Sequence, residues 1–512
     1  MAFEPIINEV ASKHSRKLGA MQSYAEVKCE TLAGEEVGSV LSVSSTPSVA
    51  SMHITPSGVE AVLSVKSVVL AVAVTGEVLC VNAQSECLCK LSVSGLESEQ
   101  KVFALPSLIE ISNIKVDGGQ ISCSVLLESS FWCLATENIK YVSSVGEDAF
   151  SKTDIMKYSD VTACVADSFE HVAEVDIPVS VSRVLSVDSV MSVSSVECST
   201  DMVTVSGQII SNVICLTSDE RPKLKSQSYT QDFRHELLTG GSLAGATAIA
   251  EAYVCDTTFE IAGELNSGKG MLIIKNKLAV NVLVNEIKEV ACVVDAYCTA
   301  NQLTLTTESS NLHSLFGVRK FSDKVDGNIV LDESAARVEK VFCNAASFVV
   351  PVNIEAGQDT VSIEGVVYSN VLYLNDADED NISSVQVEMP FATKLDYDGI
   401  TTESEIEFSA SVVEVDSRSK KGREIDVQAE VVFCVHARSA TPNAVISSIA
   451  LGESKTISEA ALGVYMVSNC AEMWDVAKQL SVCPEQLSTQ NPELTFPIIE
   501  PQNVVVYRQI KR

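Results

Sequence analysis

The chain has 512 residues, of which 46% are hydrophobic but only 5% aromatic, and its 68 acidic against 36 basic side chains give a formal net charge of −32. This apolar content excludes a disordered chain, and the acidic surplus excludes the electrostatic footprint that nucleic acid or anionic lipid requires. Valine is frequent and favours strands over helices, because its β-branched side chain fits a pleated surface.

The N-terminal segment predicts a helix. Residues 3–21 place apolar side chains at helical spacing, and we expect this segment to dock on the first β unit. Its basic residues follow the apolar ones instead of preceding a long apolar core, so we predict no export signal. The longest apolar run, residues 68–74, falls far short of the ~20 residues of a membrane-spanning helix, and we predict no integral membrane segment.

An internal repeat follows. Residues 203–216 align without a gap to residues 361–374, with six identical positions, and both preserve the hydrophobic alternation of strands. A weaker third copy occupies residues 59–72. Gly207 and Gly365 occupy the same repeat position, and we interpret them as bulge or bend positions.

Short alternating segments separated by Gly, Asn, Asp and Ser surround each repeat copy, which favours antiparallel sandwiches or open barrels. A parallel sheet would need a regular series of helical crossovers, and the pattern shows none. The first copy lacks the glycine, so we describe the first unit as degenerate.

The pattern changes near the C-terminus. Residues 463–467 predict a strand and residues 471–480 a helix with one apolar face. Pro484 opens a second helix, and residues 503–507 predict a returning strand. This order is βααβ.

We therefore predict a mostly β chain with three related antiparallel β-sandwich or barrel-like units and a small βααβ domain. The predicted boundaries are an N-terminal helical segment at 1–24, β units at 25–177, 178–333 (with a connector at 312–332) and 334–457, and the βααβ domain at 458–512.

The C-terminal domain resembles the LysM family. Residues 473–478 read Met-Trp-Asp-Val-Ala-Lys, similar to the first-helix signature of LysM domains, and Asn491-Pro492 resembles the Asn-Pro that follows the family's second helix. The family places Gly-Asp-Thr before the first helix, in a loop that cradles N-acetylated glycans. Here that tripeptide is Cys470-Ala471-Glu472, so the resemblance implies a LysM fold that does not bind peptidoglycan.

Three valine-rich β units followed by this domain resemble the SPOCS-domain proteins of clostridia, over most of the chain. The resemblance implies a non-enzymatic structural adaptor in spore coat assembly, located in the mother cell at the forespore surface. It also implies a partner, a SpoIVA-like coat morphogenetic ATPase, bound through the LysM-like domain.

With the glycan loop replaced, we expect the partner to bind the first helix of this domain. The expected open side carries Glu472, Asp475, Lys478 and Gln479, flanked by Met473 and Trp474.

Two alternatives remain open. Exposed β edges can pair with other chains, so the protein could be a self-assembling spore-surface or appendage subunit that forms homo-oligomers. A glycan-binding wall protein is the other alternative.

No segment predicts catalysis, a cofactor or a metal. Residues 263–270 approach a Walker A loop but lack the hydroxyl residue after Lys269, and residues 375–380 resemble half an EF-hand without its glycine and glutamate. The six histidines are scattered, with no pair at metal-ligand spacing. We expect the sixteen cysteines to be reduced and, like Trp132, to pack in cores.

Overall fold

The computed structural model describes residues 3–507, apart from residues 98, 148, 179, 219–222, 241–244, 264, 266–269, 316–317, 333–334, 377–381, 421, 456–461 and 468–470. Within the described residues the chain forms twenty-one strands, one short 3-10 turn at Leu32–Gly34 and two α-helices, and every strand pair is antiparallel. Neither helix in this part of the chain is long and apolar enough to cross a membrane.

The first β unit contains six strands in two sheets, β1-β6-β5 and β2-β3-β4. Its strands are β1 (Ile6–Glu30), β2 (Val37–Thr55), β3 (Gly58–Ala73), β4 (Val78–Ser92), β5 (Val102–Asp117) and β6 (Gln120–Ser144).

The second β unit repeats this plan with sheets β7-β12-β11 and β8-β9-β10. Its strands are β7 (Ala149–Asp176), β8 (Val181–Cys198), β9 (Met202–Thr217), β10 (Leu224–Leu238), β11 (Thr247–Ala262) and β12 (Met271–Cys298).

The third β unit differs only in that its first long strand is split into β13 and β14, which both pair with β19. Its strands are β13 (Asn301–Leu315), β14 (Arg319–Val330), β15 (Val338–Ala356), β16 (Thr360–Asn375), β17 (Ile382–Asp396), β18 (Glu405–Ser419) and β19 (Glu424–Ser454). Buried residues of both its sheets, such as Ile363 on β16 and Phe433 on β19, belong to one apolar core.

The predicted N-terminal helix is wrong, because these residues form β1, which pairs with β6 from Ile6 opposite Ser144 to Glu30 opposite Gln120. The expected connector at 312–332 is also wrong, since it contains the end of β13 and all of β14, which both pair with β19. The boundary predicted at 177/178 separates β7 from its partner β12. Alternation marks a strand but does not identify a partner more than 100 residues away.

The repeat itself is confirmed, because its three copies form the central strands β3, β9 and β16. Each carries a buried serine whose hydroxyl bonds to a serine at the same register of the preceding strand. These pairs are Ser45–Ser67 (2.8 Å), Ser189–Ser211 (2.8 Å) and Ser347–Ser369 (2.9 Å).

Equivalent residues of the three units also meet. Leu70, Ile214 and Leu372 occupy one repeat position on β3, β9 and β16, and all three belong to a single buried cluster. Leu41 and Leu185, which are equivalent on β2 and β8, join them there. One repeated sequence therefore builds both the separate cores and the contact among them.

The first and last strands of each unit extend beyond that unit's core. We call these extensions the distal ribbons: residues 6–17 with 132–144, residues 149–161 with 285–298, and residues 301–315 with 438–454. Register shifts at Lys17/Gly19 and Val284/Asn285 mark where two of them begin. The ribbons pack on one another through shared apolar clusters that include Tyr141, Met156 and Val445.

Burial of Trp132 follows the prediction, whereas only some of the described cysteines are buried and the others are half-buried. The described cysteines form no disulfide, and seven of them are buried. Burial raises the pKa of the Cys343 thiol to about 12, so the apolar protonated form persists at neutral pH. Trp132 is buried in β6. Most of the Walker-like segment at 263–270 and residues 377–380 of the acidic loop at 375–380 lie outside the described residues.

Gly207 and Gly365 make room for a phenylalanine of the adjacent strand. A Cβ on Gly365 would lie 2.9 Å from the ring of Phe391 and 2.6 Å from the carbonyl oxygen of Val350. Phe391 is directly opposite Gly365 in the register, and Gly207 has the same relation to Phe233. The bulges lie on the strand at the other side, opposite these glycines, which corrects our interpretation of the glycines as the bulged residues.

The first unit fills the same space with different residues. Leu63 occupies the glycine position, and Cys87, opposite it, occupies the phenylalanine position. The first unit thus has two side chains of intermediate size where the other units have a phenylalanine and a glycine. The summed volume of the pair is similar, as core packing requires.

Replacing Gly365 by Leu should lower stability by about 1–3 kcal/mol through overpacking, and Phe391→Cys alone should also lower it by leaving a cavity. The double variant should lose less than the sum of the two, because it reproduces the pair found in the first unit. Denaturation midpoints of the four proteins measure this coupling. Strict additivity would show that the two positions do not share one space.

Candidate protein-binding site

The C-terminal module has the element order strand, helix, helix, strand: β20 (Leu462–Val467), α1 (Met473–Leu480), α2 (Pro484–Gln490) and β21 (Gln502–Tyr507). The buried face of α1 (Val476, Ala477, Leu480) packs in one cluster with β21 residues such as Val504. This is the order and the inward face that the sequence predicts. Whether the module is a LysM domain stays a prediction.

The side chain of Asn491 links α2 to β21 through hydrogen bonds, and these bonds explain why an asparagine occupies this position. Its buried amide donates to the carbonyl oxygens of Leu487 (2.9 Å) and Val505 (2.8 Å), and its oxygen accepts from the Val505 amide (2.7 Å). A side chain with both a donor and an acceptor is needed to satisfy these groups.

The module packs against the distal ribbon of the second unit. Tyr297, near the end of β12, belongs to the same apolar cluster as α1, and its hydroxyl donates to the carbonyl oxygen of Val482 (2.8 Å). The Trp474 ring meets Tyr297 edge-on, with ring centroids 5.0 Å apart, and the Phe150 ring of β7 stacks on Tyr297 with centroids 5.3 Å apart.

Asp295 makes polar contacts with α1 beside Tyr297, and we call the group of Asp295, Trp474 and Lys478 the Asp295 clasp. Its carboxylate accepts hydrogen bonds from the Trp474 indole (2.7 Å) and the Lys478 ammonium (2.5 Å). Burial alone would raise the pKa of Asp295, but the bonds from Lys478 and Trp474 lower it below the ordinary value of 3.8. The carboxylate is therefore ionised at neutral pH, and Trp474 and Lys478 serve an intramolecular contact.

The six residues predicted to bind a partner lie in three different settings. Glu472, Asp475 and Gln479 are exposed and form one stripe along α1 and the residue before it. Met473 and Trp474 are half-buried against the module's core. Lys478 pairs with Asp295 while 41% of its side chain is exposed, and its role in partner binding stays a prediction. The i, i+4 spacing of Trp474 and Lys478 shows that they share a face, but nothing in the sequence identifies an acceptor 183 residues away.

The sequence did not reveal an apolar surface on the other side of the module. Leu462, Val464 and Met466 alternate along β20 with 51%, 59% and 78% of their surface exposed. Tyr507, 58% exposed, lies opposite Leu462, and Val505 lies opposite Val464. We call these five residues the outer sheet face. Adjacent exposed apolar side chains of this kind mark interaction surfaces.

A buried ionic cluster lies where the three units meet. Glu407 of β18 forms an ion pair with Arg438 and a hydrogen bond with His436 (2.6 Å), both on β19, and Glu251 of β11 lies 3.7 Å from His436. The adjacent cavity has a volume of about 30 Å³, which is room for about one water molecule and too little for a substrate. The cluster joins units; it does not form a binding cleft.

The Asp295 clasp can be tested by Asp295→Asn, with Asp475→Asn on the exposed stripe of α1 as a matched control. Loss of this partly exposed ion pair should cost about 1 kcal/mol, so α1 amides should exchange hydrogen about fivefold faster at pH 7, whereas the control should match wild type.

The same clasp predicts a pH dependence. Because pairing lowers the pKa of Asp295, its stabilisation is complete above about pH 4 and is lost as pH falls through the lower folded-state value. The difference in melting temperature between wild type and Asp295→Asn should therefore shrink on acidification. A constant difference would contradict an ionised clasp.

The comparison with protein families places part of the third unit in a known domain family. The family model described as "SipL, SPOCS domain" matches residues 337–420, which span β15 to β18 of the third unit. No curated protein and no solved structure matches the chain. The first two units have the same strand arrangement as the matched unit. The chain therefore carries a SPOCS domain at residues 337–420, a domain of a sporulation-related protein family.

Proposed function

We propose that the protein is a non-enzymatic adaptor in spore coat assembly, located in the mother cell at the forespore surface. Its β units would form the body of the adaptor, and the C-terminal module would capture a SpoIVA-like coat morphogenetic ATPase. The SPOCS domain supports the link to sporulation, and the exposed outer sheet face is the observation that carries the proposal of partner binding.

The packing of the C-terminal module against the second unit supports a role in presenting a binding surface to a partner. Its α1 helix is fixed to the second unit by Asp295 and Tyr297, so the module is oriented by the body of the protein. The outer sheet face belongs to β20 and β21, and four of its five side chains are exposed, whereas Val505 is half-buried. A rigidly held module with an uncovered apolar face suits an adaptor, because little conformational entropy is lost on binding.

The charges around the module define the chemistry of the partner. The exposed acids of the module are Glu472, Asp475, Glu485, Glu493 and Glu500. Its one described basic side chain, Lys478, pairs with Asp295. We therefore expect the partner surface to carry apolar side chains surrounded by Lys or Arg, since complementary charge accelerates and orients association.

The stripe of Glu472, Asp475 and Gln479 remains the second candidate surface within the same function. It offers charge and hydrogen bonding without a large apolar side chain. Binding energy concentrates in large buried side chains, so we place the main contact on the outer sheet face and assign the stripe a supporting electrostatic role.

The two surfaces can be separated by binding measurements with a purified coat morphogenetic ATPase. Val464→Glu and Met466→Glu place a charge in the apolar face and should weaken binding tenfold or more, as loss of a central contact typically does. Glu472→Lys and Asp475→Lys should have smaller effects that diminish with added salt. Circular dichroism of each variant checks that the module remains folded.

Two results would contradict the proposal. If the glutamate variants bind as wild type while the lysine variants lose binding, the α1 stripe is the docking site. If wild-type protein does not bind the ATPase and forms ordered filaments alone in negative-stain images, a self-assembling surface subunit explains the chain better.

A further inference from the structure

Two histidines that are 299 residues apart in the sequence stack on each other between the first and third units. His14 on β1 and His313 on β13 have ring centroids 3.7 Å apart and ring planes 13° apart. Both lie in distal ribbons, and strand pairing positions each one, His14 opposite Ala135 and His313 opposite Ala440.

A carboxylate completes the group. Glu137 on β6 is the diagonal neighbour of His14 in the register, and its Oε2 lies 3.7 Å from Nε2 of His313. Its other oxygen accepts a hydrogen bond from the backbone amide of Asn311 (3.4 Å), which holds the carboxylate toward the third unit. Each of the three residues offers one ligand atom, and these atoms all lie within 4.8 Å of one another.

The protonation states suit a metal ligand set. Burial, with the neighbouring His313, lowers the pKa of His14 to about 4, and burial also lowers the pKa of His313. Imidazole nitrogens and a carboxylate oxygen are ligand types that zinc takes in proteins. Nδ1 of His14 is buried without a hydrogen-bond partner among the described atoms, a state that costs free energy unless a ligand satisfies it.

The charges around the three residues sum to a net negative charge. Arg16 and Arg438 act on His14, and Arg438 and Glu405 act on His313. Arg438 is itself paired with Glu407, so the carboxylates of Glu137 and Glu405 oppose the positive charge of Arg16. A divalent cation at this position would meet net attraction.

We propose that His14, Glu137 and His313 form a Zn²⁺ site that ties the first unit to the third. Two imidazoles and one carboxylate are a known zinc ligand set with water as the fourth ligand. The ion and the water can reach the site, because the side chains of His313 and Glu137 are 22% and 31% exposed. Bonds of roughly 2.0–2.1 Å require the two rings to turn out of their stacked arrangement so that their lone pairs converge.

The neighbouring group of Glu251, Glu407 and His436 also brings possible ligand atoms together. There, Arg438 and His436 already occupy the Glu407 carboxylate. Binding a cation would leave the buried Arg438 charge without its partner, which is strongly unfavourable. We therefore assign the zinc site to the His14 group alone.

The test is titration of chelator-treated, full-length protein with Zn²⁺ by calorimetry, with melting temperature as a second readout. Wild type should bind one ion per chain at this site and melt at a higher temperature with zinc. His14→Gln and His313→Gln should each weaken zinc binding more than loss of a hydrogen-bond partner of a metal ligand does. Loss of such a partner lowers metal affinity by roughly 10–100-fold. His53→Gln, at an exposed histidine of β2, is the matched control and should bind as wild type.

Glu137→Gln keeps the size of the side chain and a hydrogen-bond acceptor, so it separates loss of metal binding from loss of folding. Because the chain also contains cysteines, Co²⁺ spectra identify the ligands: this site predicts no thiolate-to-cobalt charge-transfer band. Absence of saturable zinc binding in wild type would overturn the proposal. Unchanged affinity in the His14→Gln/His313→Gln double variant, or a thiolate band that titrates with the same affinity, would also overturn it.

Discussion

The pairing of each unit's first strand with its last is the constraint on which the rest of the structure depends. In the three units, β1 pairs with β6, β7 pairs with β12, and β13 and β14 both pair with β19. These strands reach 25, 28 and 31 residues in β1, β12 and β19. A strand of 25 residues is roughly 80 Å long at about 3.3 Å per residue, more than the core of one small unit covers. The remainder forms the distal ribbons, which pack on one another.

The proposed sites lie on or against these ribbons. Asp295 and Tyr297, near the end of β12, anchor the C-terminal module, and His14, Glu137 and His313 lie where two ribbons meet. The cores of the three units thus share one strand arrangement. The residues of the proposed sites lie in or against the distal ribbons, where the three units differ.

The sequence predicted what is local and periodic. Alternation identified β9 and β16 and their weaker copy β3, and helical spacing identified the buried face of α1. It could not predict partners. The ribbon half of β1 has apolar residues at irregular spacing because its neighbours are other ribbons, so the pattern resembled a helix. Asp295 and His14 are ordinary polar residues of strands, and only pairing between distant segments gives them their partners.

The pair Leu63 and Cys87 shows how far a unit can diverge while keeping its frame. The equivalent pairs in the other units are Gly207 with Phe233 and Gly365 with Phe391. The strand order of the first unit is nevertheless the same as that of the second. Volume shared between neighbouring strands is maintained; the identity of each residue is not.

Closure of the first strand by the last also determines when each unit can fold during synthesis. β1 has no partner until β6 leaves the ribosome, about 90 residues after β1 is complete, which at about 5–20 residues per second is a delay of roughly 5–18 s. Such non-local pairing gives a high contact order and slow folding. Throughout that interval the nascent chain displays an unpaired strand edge, and each of the three units repeats the exposure in turn. Recruitment of a chaperone to the emerging chain would protect it most at these three moments.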